Sequence, residues 1–404
     1  MKIRKYRLFK VFIFYIQIIS VAALIVACNS TPNNPEISSS PNRECVQNYN
    51  PSTDYFPIKV SINYATGFSI DYQNNYKIVT VTNPWREAKT GFQYVLVQCG
   101  TPAPEGFKQE QIITVPVNTV ASLSTTHLPH LAKLELVDRL IGVSNLKIVN
   151  TPEVVEQIKA DKIAELGNNN VNVERLLELD PDLVTTYGTG NPQTDSYPKL
   201  LEAGLKVAIN AEYMENSPLG RSEWLKFTAL FFNREEQAQK VFSAIDKNYQ
   251  EIAAQTKAIE KRPKVFTGFN FKGTWYVPGC KSYPAKYLAD AGAELLCVGN
   301  SSGSTPSSFE NVFERAATAD YWLNANQSWQ NLQDAIREDS RYGNFQAVQK
   351  GNVYNNNARL NENGGNDYWE GGISNPDLIL ADLIKIFHPE LLPNHQLFFY
   401  QKLD

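Results

Sequence analysis

The chain has 404 residues, with 38 Lys and Arg against 42 Asp and Glu, for a formal charge of −4. That length exceeds one comfortable core and predicts two domains. An acidic chain has no electrostatic footprint for nucleic acid, which excludes that class of partner.

Residues 1–27 read as a secretory signal and not as part of the fold. Lys2, Arg4, Lys5, Arg7 and Lys10 form a basic start, and Val11–Ala27 is uncharged, mostly apolar and short for a membrane span. Ile25-Val26-Ala27-Cys28 resembles a bacterial lipobox, which implies cleavage before Cys28 and acylation of that residue. Removing the signal takes the formal charge from −4 to −9. Residues 28–44 are rich in Pro, Ser and Asn, the composition of a flexible tether from an anchored Cys28. The expected location is therefore extracytoplasmic, at a periplasm or cell surface, held to the membrane by lipid.

Four further cysteines, an even number, suit an oxidising compartment. Sequence neighbours suggest Cys45–Cys99 and Cys280–Cys297, although four cysteines allow three pairings. No C-x-x-C spacing occurs, so no metal-thiolate site is expected. Between Cys45 and Glu110 the runs IKVSINYATGFSIDY, YKIVTVTN and FQYVLVQCG alternate and are rich in β-branched and aromatic residues. With turns at Thr66-Gly67 and Asn74-Asn75, they predict a three-strand antiparallel sheet added to the first lobe.

From Thr119 onward the order strand, loop, helix, strand, loop, helix, strand occurs twice. The first pass is Thr119–Ser124, LPHLAKLEL, Arg139–Ser144, Asn172–Asp180 and Asp182–Gly188. The second is Lys264–Phe269, PAKYLADAG, Glu294–Gly299, Ser308–Ala316 and Asp320–Asn324. Each pass reads as βαβ units around a small parallel sheet, with Glu174 and Glu310 at matching places. Between them, residues 234–260 carry apolar residues at helical spacing, from Ala238 through Val241, Phe242, Ile245 and Tyr249. Asn233 as cap with Glu236 three residues on completes a capping-box pattern, and Pro263 is the stop. About 25 helical residues make a rod of about 40 Å. The expected fold is α/β, two small parallel-sheet lobes joined by one long helix. Its parts are an N-terminal lobe at 45–232, including the β addition at 45–110, an interlobe helix at 233–261 and a C-terminal lobe at 262–404.

In open α/β sheets, ligands collect at loops beyond the carboxyl ends of the strands. In the first lobe those loops carry Ser124, Thr125, Thr126 and His127, then Ser144–Lys147, then Tyr187 and Gly188. In the second they carry Phe271, Lys272, Trp275 and Tyr276, then Asn300–Ser304, and a later Asn- and Gly-rich loop at Asn355–Gly372 holds Arg359, Tyr368 and Trp369. The aromatics offer flat faces to a large, polar, partly aromatic ligand, and Lys272 and Arg359 could meet anionic groups. Arg359 stands out because its loop offers little else to pair with. Ser124–His127 opens a helix and could hold an oxyanion, or could simply cap it.

Enzyme motifs are thin. Gly299-Asn300-Ser301-Ser302-Gly303 matches G-x-S-x-G, but a nucleophile elbow needs a helix directly after the serine, and Ser304-Thr305-Pro306 intervenes. A secreted serine hydrolase using Ser301 is thus the competing class. His127 and His130 make an H-x-x-H pair, yet four histidines in all are too few for a metal cage. No resident metal or cofactor is expected.

With these parts in place, the chain resembles a substrate-binding lipoprotein of the ABC-importer family for iron–siderophore complexes, cobalamin and haem. The stretches that carry the resemblance are SLSTTHLPHLAKLELVDRLIGVS, NVERLLELDPDLVTTYG, SSFENVFERAATADYWLN and GGNDYWEGGISNPDLILADLIKIFHPELLP, within about residues 111–396. The resemblance implies a rigid interlobe helix, modest lobe closure and a ligand in the cleft without catalysis. The ligand expected first is a metal chelate such as a ferric siderophore, with cobalamin or haem as alternatives. It also implies a permease dimer as partner, met by one glutamate per lobe, to which Glu174 and Glu310 correspond. The chain is expected to act as a monomer.

Overall fold

The computed structural model describes residues 45–167 and 170–404, so the signal, the tether and Cys28 lie outside the described residues. The described chain opens with a sheet of four strands, β1 (Phe68–Tyr72), β2 (Tyr76–Val81), β3 (Phe92–Gln98) and β4 (Ile112–Val115), in that order. The Asn74-Asn75 turn pairs Tyr72 with Lys77 across an antiparallel hairpin, and β2 pairs antiparallel with β3. Two features differ from the expected three strands. β4 adds a fourth, parallel to β3. The run Ile58–Gly67 is not strand, because carboxylates elsewhere take its backbone donors: Glu223 accepts from Asn63, Tyr64 and Ala65, and Glu215 from Thr66 and Gly67. A peptide N–H already satisfied by a side chain has nothing left for a ladder. The Cys45–Cys99 bridge ties the first described residue to the end of β3.

The first lobe continues through β5 (Val120–Ser122), α1 (Leu128–Lys133), β6 (Leu140–Val143), α2 (Pro152–Lys159) and β7 (Ala164–Glu165). It goes on with α3 (Val173–Leu179), β8 (Leu183–Thr186), α4 (Tyr197–Glu202) and β9 (Val207–Ile209); α5 (Pro218–Leu230) and α6 (Glu235–Ala254) follow it. The second lobe has β10 (Lys264–Thr267), β11 (Asn270–Phe271), β12 (Thr274–Pro278), α7 (Tyr283–Asp290), β13 (Glu294–Leu295) and β14 (Ser304–Ser307). Then come α8 (Phe309–Ala316), β15 (Tyr321–Leu323), α9 (Leu332–Glu338), α10 (Gln346–Gln349), β16 (Val353–Asn355), α11 (Pro376–Phe387) and β17 (Gln401–Lys402). The first sheet runs β7-β6-β5-β8-β9, all parallel. The second runs β13-β10-β15-β16-β17, parallel except for β17. The order β6-β5-β8-β9 therefore recurs as β13-β10-β15-β16, and α3 and α8 are equivalent crossovers. The second bridge, Cys280–Cys297, lies in the second lobe.

The helix between the lobes is shorter than its sequence pattern predicts. It spans 20 residues, about 30 Å, from Glu235 to Ala254. Asn233 does not cap it. Asn233 sits in the left-handed region at φ 52°, where its side chain accepts from the Lys77 ammonium at 2.9 Å and donates to Gln98 at 2.9 Å. Lys77, fully buried, also needs Leu230 O and Glu235 as acceptors, so the end of the helix is built around that cation.

The helix before it proves more central. In α5 every residue but Arg221 is buried, including Glu223 and Lys226 with no exposed surface. Lys226 donates to Glu223 at 2.7 Å and to Ser61 O at 2.7 Å, while Glu223 gathers the amides of residues 63–65. A buried charge survives only with such complete pairing. Replacing Glu223 by Ala strands the Lys226 charge and frees three amides. Urea unfolding is expected to show a loss of about 3–5 kcal/mol, partly recovered when Lys226→Met is added. A cost near 1 kcal/mol with no recovery would place the pair outside the stabilising core.

Candidate functional site

The carboxyl ends of both sheets feed the loops on which a ligand can act. In the first lobe, β5 leads to Ser124, whose hydroxyl accepts the Thr126 N–H at 3.3 Å and lies 2.9 Å from the Thr126 hydroxyl. Ser124 is thus a cap whose polar atoms are already used, and Thr125 and Thr126 are half-buried beside it. His127 turns inward: it is buried, its Nδ1 lies 3.2 Å from the Thr185 hydroxyl, and burial pulls its pKa down to about 3, with His130 adding to the drop. It stays neutral at physiological pH and does not face the loop surface. β8 leads to Tyr187, 46 % exposed, and to Gly188, which is covered by Trp85 so closely that a Cβ there would meet the indole at 2.6 Å.

In the second lobe the paired aromatics separate into core and surface. Trp275 and Tyr276 are neighbours on β12, so they point to opposite faces. Trp275 is buried, donates to Thr267 O at 2.9 Å and packs on Phe266 and Trp322. Tyr276 is 55 % exposed and Phe271, on the hairpin partner, 52 %. The same division falls between Tyr368, buried against Phe399 and Tyr400, and Trp369, 42 % exposed. Trp275 and Tyr368 are core residues, a correction to their sequence reading as ligand contacts.

The cations also differ from expectation. Arg359 is not free: its Nε donates to Asp367 at 2.6 Å, and its guanidinium lies 4.3 Å from the centroid of Phe398. Asp367 comes eight residues later in the same loop, a spacing no helical or strand period marks. Arg221, at the start of α5, donates from Nε at 2.9 Å and from Nη2 at 2.7 Å to one oxygen of Glu212, and stacks on Tyr283 at 4.4 Å. Lys272 stands in a turn at φ 51°, exposed, with its ammonium 5.2 Å from the Phe271 ring.

Sequence reasoning missed three groups. Phe398 joins the exposed aromatics. Buried amide atoms of Asn270, Asn324, Asn355 and Asn356, at or just beyond the ends of β10, β15 and β16, have no partner among the described residues. The run Asn355-Asn356-Asn357 was the available signal, but a loop explains it equally well. The third is Glu370, buried, which accepts from the amides of Asn150 and Thr151 (2.6–3.1 Å) and the Thr151 hydroxyl (2.5 Å) and so joins the lobes. Asn361 adds bonds to Lys147 O and Val149 O, and Lys133 one to Asn375 at 3.2 Å.

Two parallel-sheet lobes with matched topology, sharing a helical hairpin and presenting loops from the carboxyl ends of both sheets, define a bilobal solute-binding protein. The chain belongs to the periplasmic binding protein family, whose pattern matches residues 120–360. An uncharacterized lipoprotein of Methanocaldococcus jannaschii is 27 % identical over 396 residues, covering 89 % of this chain and 90 % of its own. Among solved structures, a possible iron-binding periplasmic solute-binding protein from Staphylococcus epidermidis shares 19 % identity at TM-score 0.53, with 67 % of this chain and 98 % of that one covered. A periplasmic heme binding protein from Pseudomonas aeruginosa shares 16 % at TM-score 0.53, covering 71 % and 98 %. At these identities the likeness establishes the fold.

Burial lifts the Glu370 carboxyl to about 7, against the pull of its donors from Thr151 and Asn150, and the nearby Asp367 charge adds to the rise. A carboxyl whose folded pKa is raised binds its proton more tightly when folded. Its contribution is full below the ordinary value of 4.5 and is lost as pH climbs through 7. The stability gap between wild type and Glu370→Gln should therefore be about 2 kcal/mol wider at pH 5 than at pH 8, read by urea unfolding. A gap constant across that range would contradict the assignment.

Proposed function

We propose that the protein is an extracytoplasmic lipoprotein, anchored through Cys28, that binds a metal chelate between its lobes and delivers it to an ABC-importer permease dimer. The observation that carries this reading is the pattern of exposure at the carboxyl edges of the two sheets. Tyr187, Phe271, Tyr276 and Trp369 are exposed there, while Arg221 and Arg359 are already neutralised by Glu212 and Asp367. Flat apolar faces with few free cations suit a chelate with an aromatic or aliphatic rim and little net negative charge. A ferric siderophore of low charge comes first, and a corrinoid or haem fits the same surface. The lipoprotein relative from Methanocaldococcus jannaschii supports the anchor, and no helix among the described residues is long and apolar enough to cross a membrane.

The serine-hydrolase reading lacks a base. Ser301 donates to Gly303 O at 3.3 Å, and the four histidines are engaged elsewhere: His127 with Thr185, His130 with Thr228, His388 with Gly292 O and His395 with Asp382. Titration of tryptophan fluorescence with ferrioxamine B, a ferric tricatecholate, cyanocobalamin and haemin tests the ligand class. One of the low-charge chelates should bind at least about tenfold more tightly than the tricatecholate, a difference of about 1.4 kcal/mol. Tightest binding by the tricatecholate trianion would reverse the charge argument.

Docking on the permease falls to Glu174 and Glu310. Each is the second residue of its crossover helix, after the caps Asn172 and Ser308, and each is exposed. Glu310 also pairs with Arg341 at 3.1 Å, a surface contact worth little in itself. A carboxylate in a first turn gains only about 0.3–1 kcal/mol from the helix. Rim charges act mainly on encounter and orientation. Glu174→Arg and Glu310→Arg should each leave ligand affinity unchanged and slow uptake in whole cells, with the double change abolishing it. Normal uptake by both folded variants would reduce the two glutamates to helix-end residues.

A further inference from the structure

The loop between β2 and β3, residues 82–91, belongs to the N-terminal sheet, ahead of the segment that matches the family at 120–360. It reaches away from its own sheet to the ligand-side loops. The Trp85 indole stacks on Tyr197 at 5.7 Å and 24°, and meets Phe92 edge-on at 5.9 Å. Its other side covers Gly188 and Gly190, where a Cβ at either position would come within 2.6 Å of the ring. The Tyr213 hydroxyl lies within hydrogen-bonding reach of both Pro84 O, at 3.2 Å, and Gly188 O. The loop is thereby fastened to the turn that follows β8 in the first lobe.

One residue on, the chain touches the second lobe. A Cβ built on Gly303 would lie 2.8 Å from Arg86 Nη1 and 2.9 Å from its Cζ, so the guanidinium lies against the Gly303 backbone. Gly303 stands between β13 and β14, with its carbonyl occupied by Gly279 N–H at 2.9 Å. The Arg86 side chain is 63 % exposed, and its one ion-pair partner among the described residues is the adjacent Glu87, 4.0 Å away and more exposed still. Arg86 is therefore held to the second lobe by contact alone, whereas Trp85 is seated in a ring of aromatics on the first. The grip is firm on one side of the cleft and weak on the other.

We propose that residues 82–91 form a clasp across the mouth of the cleft, with Trp85 as its anchor and Arg86 as a catch on Gly303 that must release before a solute enters or leaves. The proposal rests on reading the cleft as the solute site. Loop release of this kind sets the rates of entry and exit more than the affinity.

The pair Arg86→Cys with Gly303→Cys tests the clasp in the full-length protein. Joined without denaturant by a short bis-methanethiosulfonate, about the span of the arginine side chain it replaces, the two thiols should form the new bridge, verified by peptide mapping that also shows Cys45–Cys99 and Cys280–Cys297 intact. In stopped-flow experiments with haemin, cyanocobalamin and ferrioxamine B as probes, the bridged protein should take up and release the bound probe at least about tenfold more slowly, and mild reduction should restore both rates. Arg86→Ala should bind at least as fast as wild type and show faster amide exchange at residues 299–303. Failure of the bridge to form, unslowed entry in the bridged protein, or unchanged exchange in Arg86→Ala would each overturn the clasp. Should none of the probes bind wild type, the reading of the cleft falls, and bridge formation with the exchange at 299–303 still decides whether the loop spans the lobes.

Discussion

The buried Glu223–Lys226 pair on α5 is the constraint from which the arrangement of the lobes follows. A charged pair with no exposed surface must have all its partners fixed in place, and here those partners are the backbone of residues 61–65. The strap so fixed lies on α5 and holds Tyr64 against α6, where its hydroxyl donates to Asp246 at 2.8 Å. The two helices then serve both cores at once. Trp224, Leu225, Phe227 and Ala238 belong to the core of the first lobe, while Leu219, Ile245 and Tyr249 belong to that of the second. Val241 packs on both. Elements shared by two cores resist hinging, since any large rotation would open one of them to water.

That rigidity bears on how a ligand can be recognised. If the lobes move little, the cleft must be largely pre-formed, and specificity must come from what its loops already display. The aromatics are sorted into core and surface, by strand alternation on β12 and by the turn at 367–370, leaving Tyr276 and Trp369 outside while Trp275 and Tyr368 hold the lobe together. The arginines were sorted by charge. Arg221 and Arg359 each found a carboxylate, which removes the desolvation cost of a lone cation and also removes it as a strong anion receptor.

Much of this was legible in the chain because repetition and periodicity are local signals. The two matched strand orders and the crossover helices with Glu174 and Glu310 follow patterns of short range, and both cysteine pairs join neighbours in the order of cysteines along the chain. What escaped depends on contacts distant in sequence. Nothing in PLGRSEWLKFTAL marks a helix buried on all sides, since its Arg, Glu and Lys read as a solvated face until the amides of residues 63–65 are brought to Glu223. The helix cap at Asn233 failed for a related reason, because Lys77, more than 150 positions earlier, claims that side chain. Arg359 and Asp367 are near in sequence, yet their pairing depends on how an irregular loop folds.

The repeat also separates what the two lobes share from what they do not. Equivalent strands and crossovers place a glutamate at the same step of each helix, α3 and α8, as a symmetric partner would require. The ligand-side loops break that symmetry. The first lobe continues its sheet with β7, whereas the second inserts the antiparallel β11-β12-β14 sheet, which carries Phe271, Lys272 and Tyr276. One tyrosine, Tyr187, is exposed on the loops of the first lobe, and Phe271, Tyr276 and Trp369 on those of the second. A duplicated fold can keep a common docking register on its crossover helices while its carboxyl-end loops diverge, because loops at strand ends change without disturbing the sheets that support them. The carboxyl-end loops are thus asymmetric on a frame whose crossover helices remain matched.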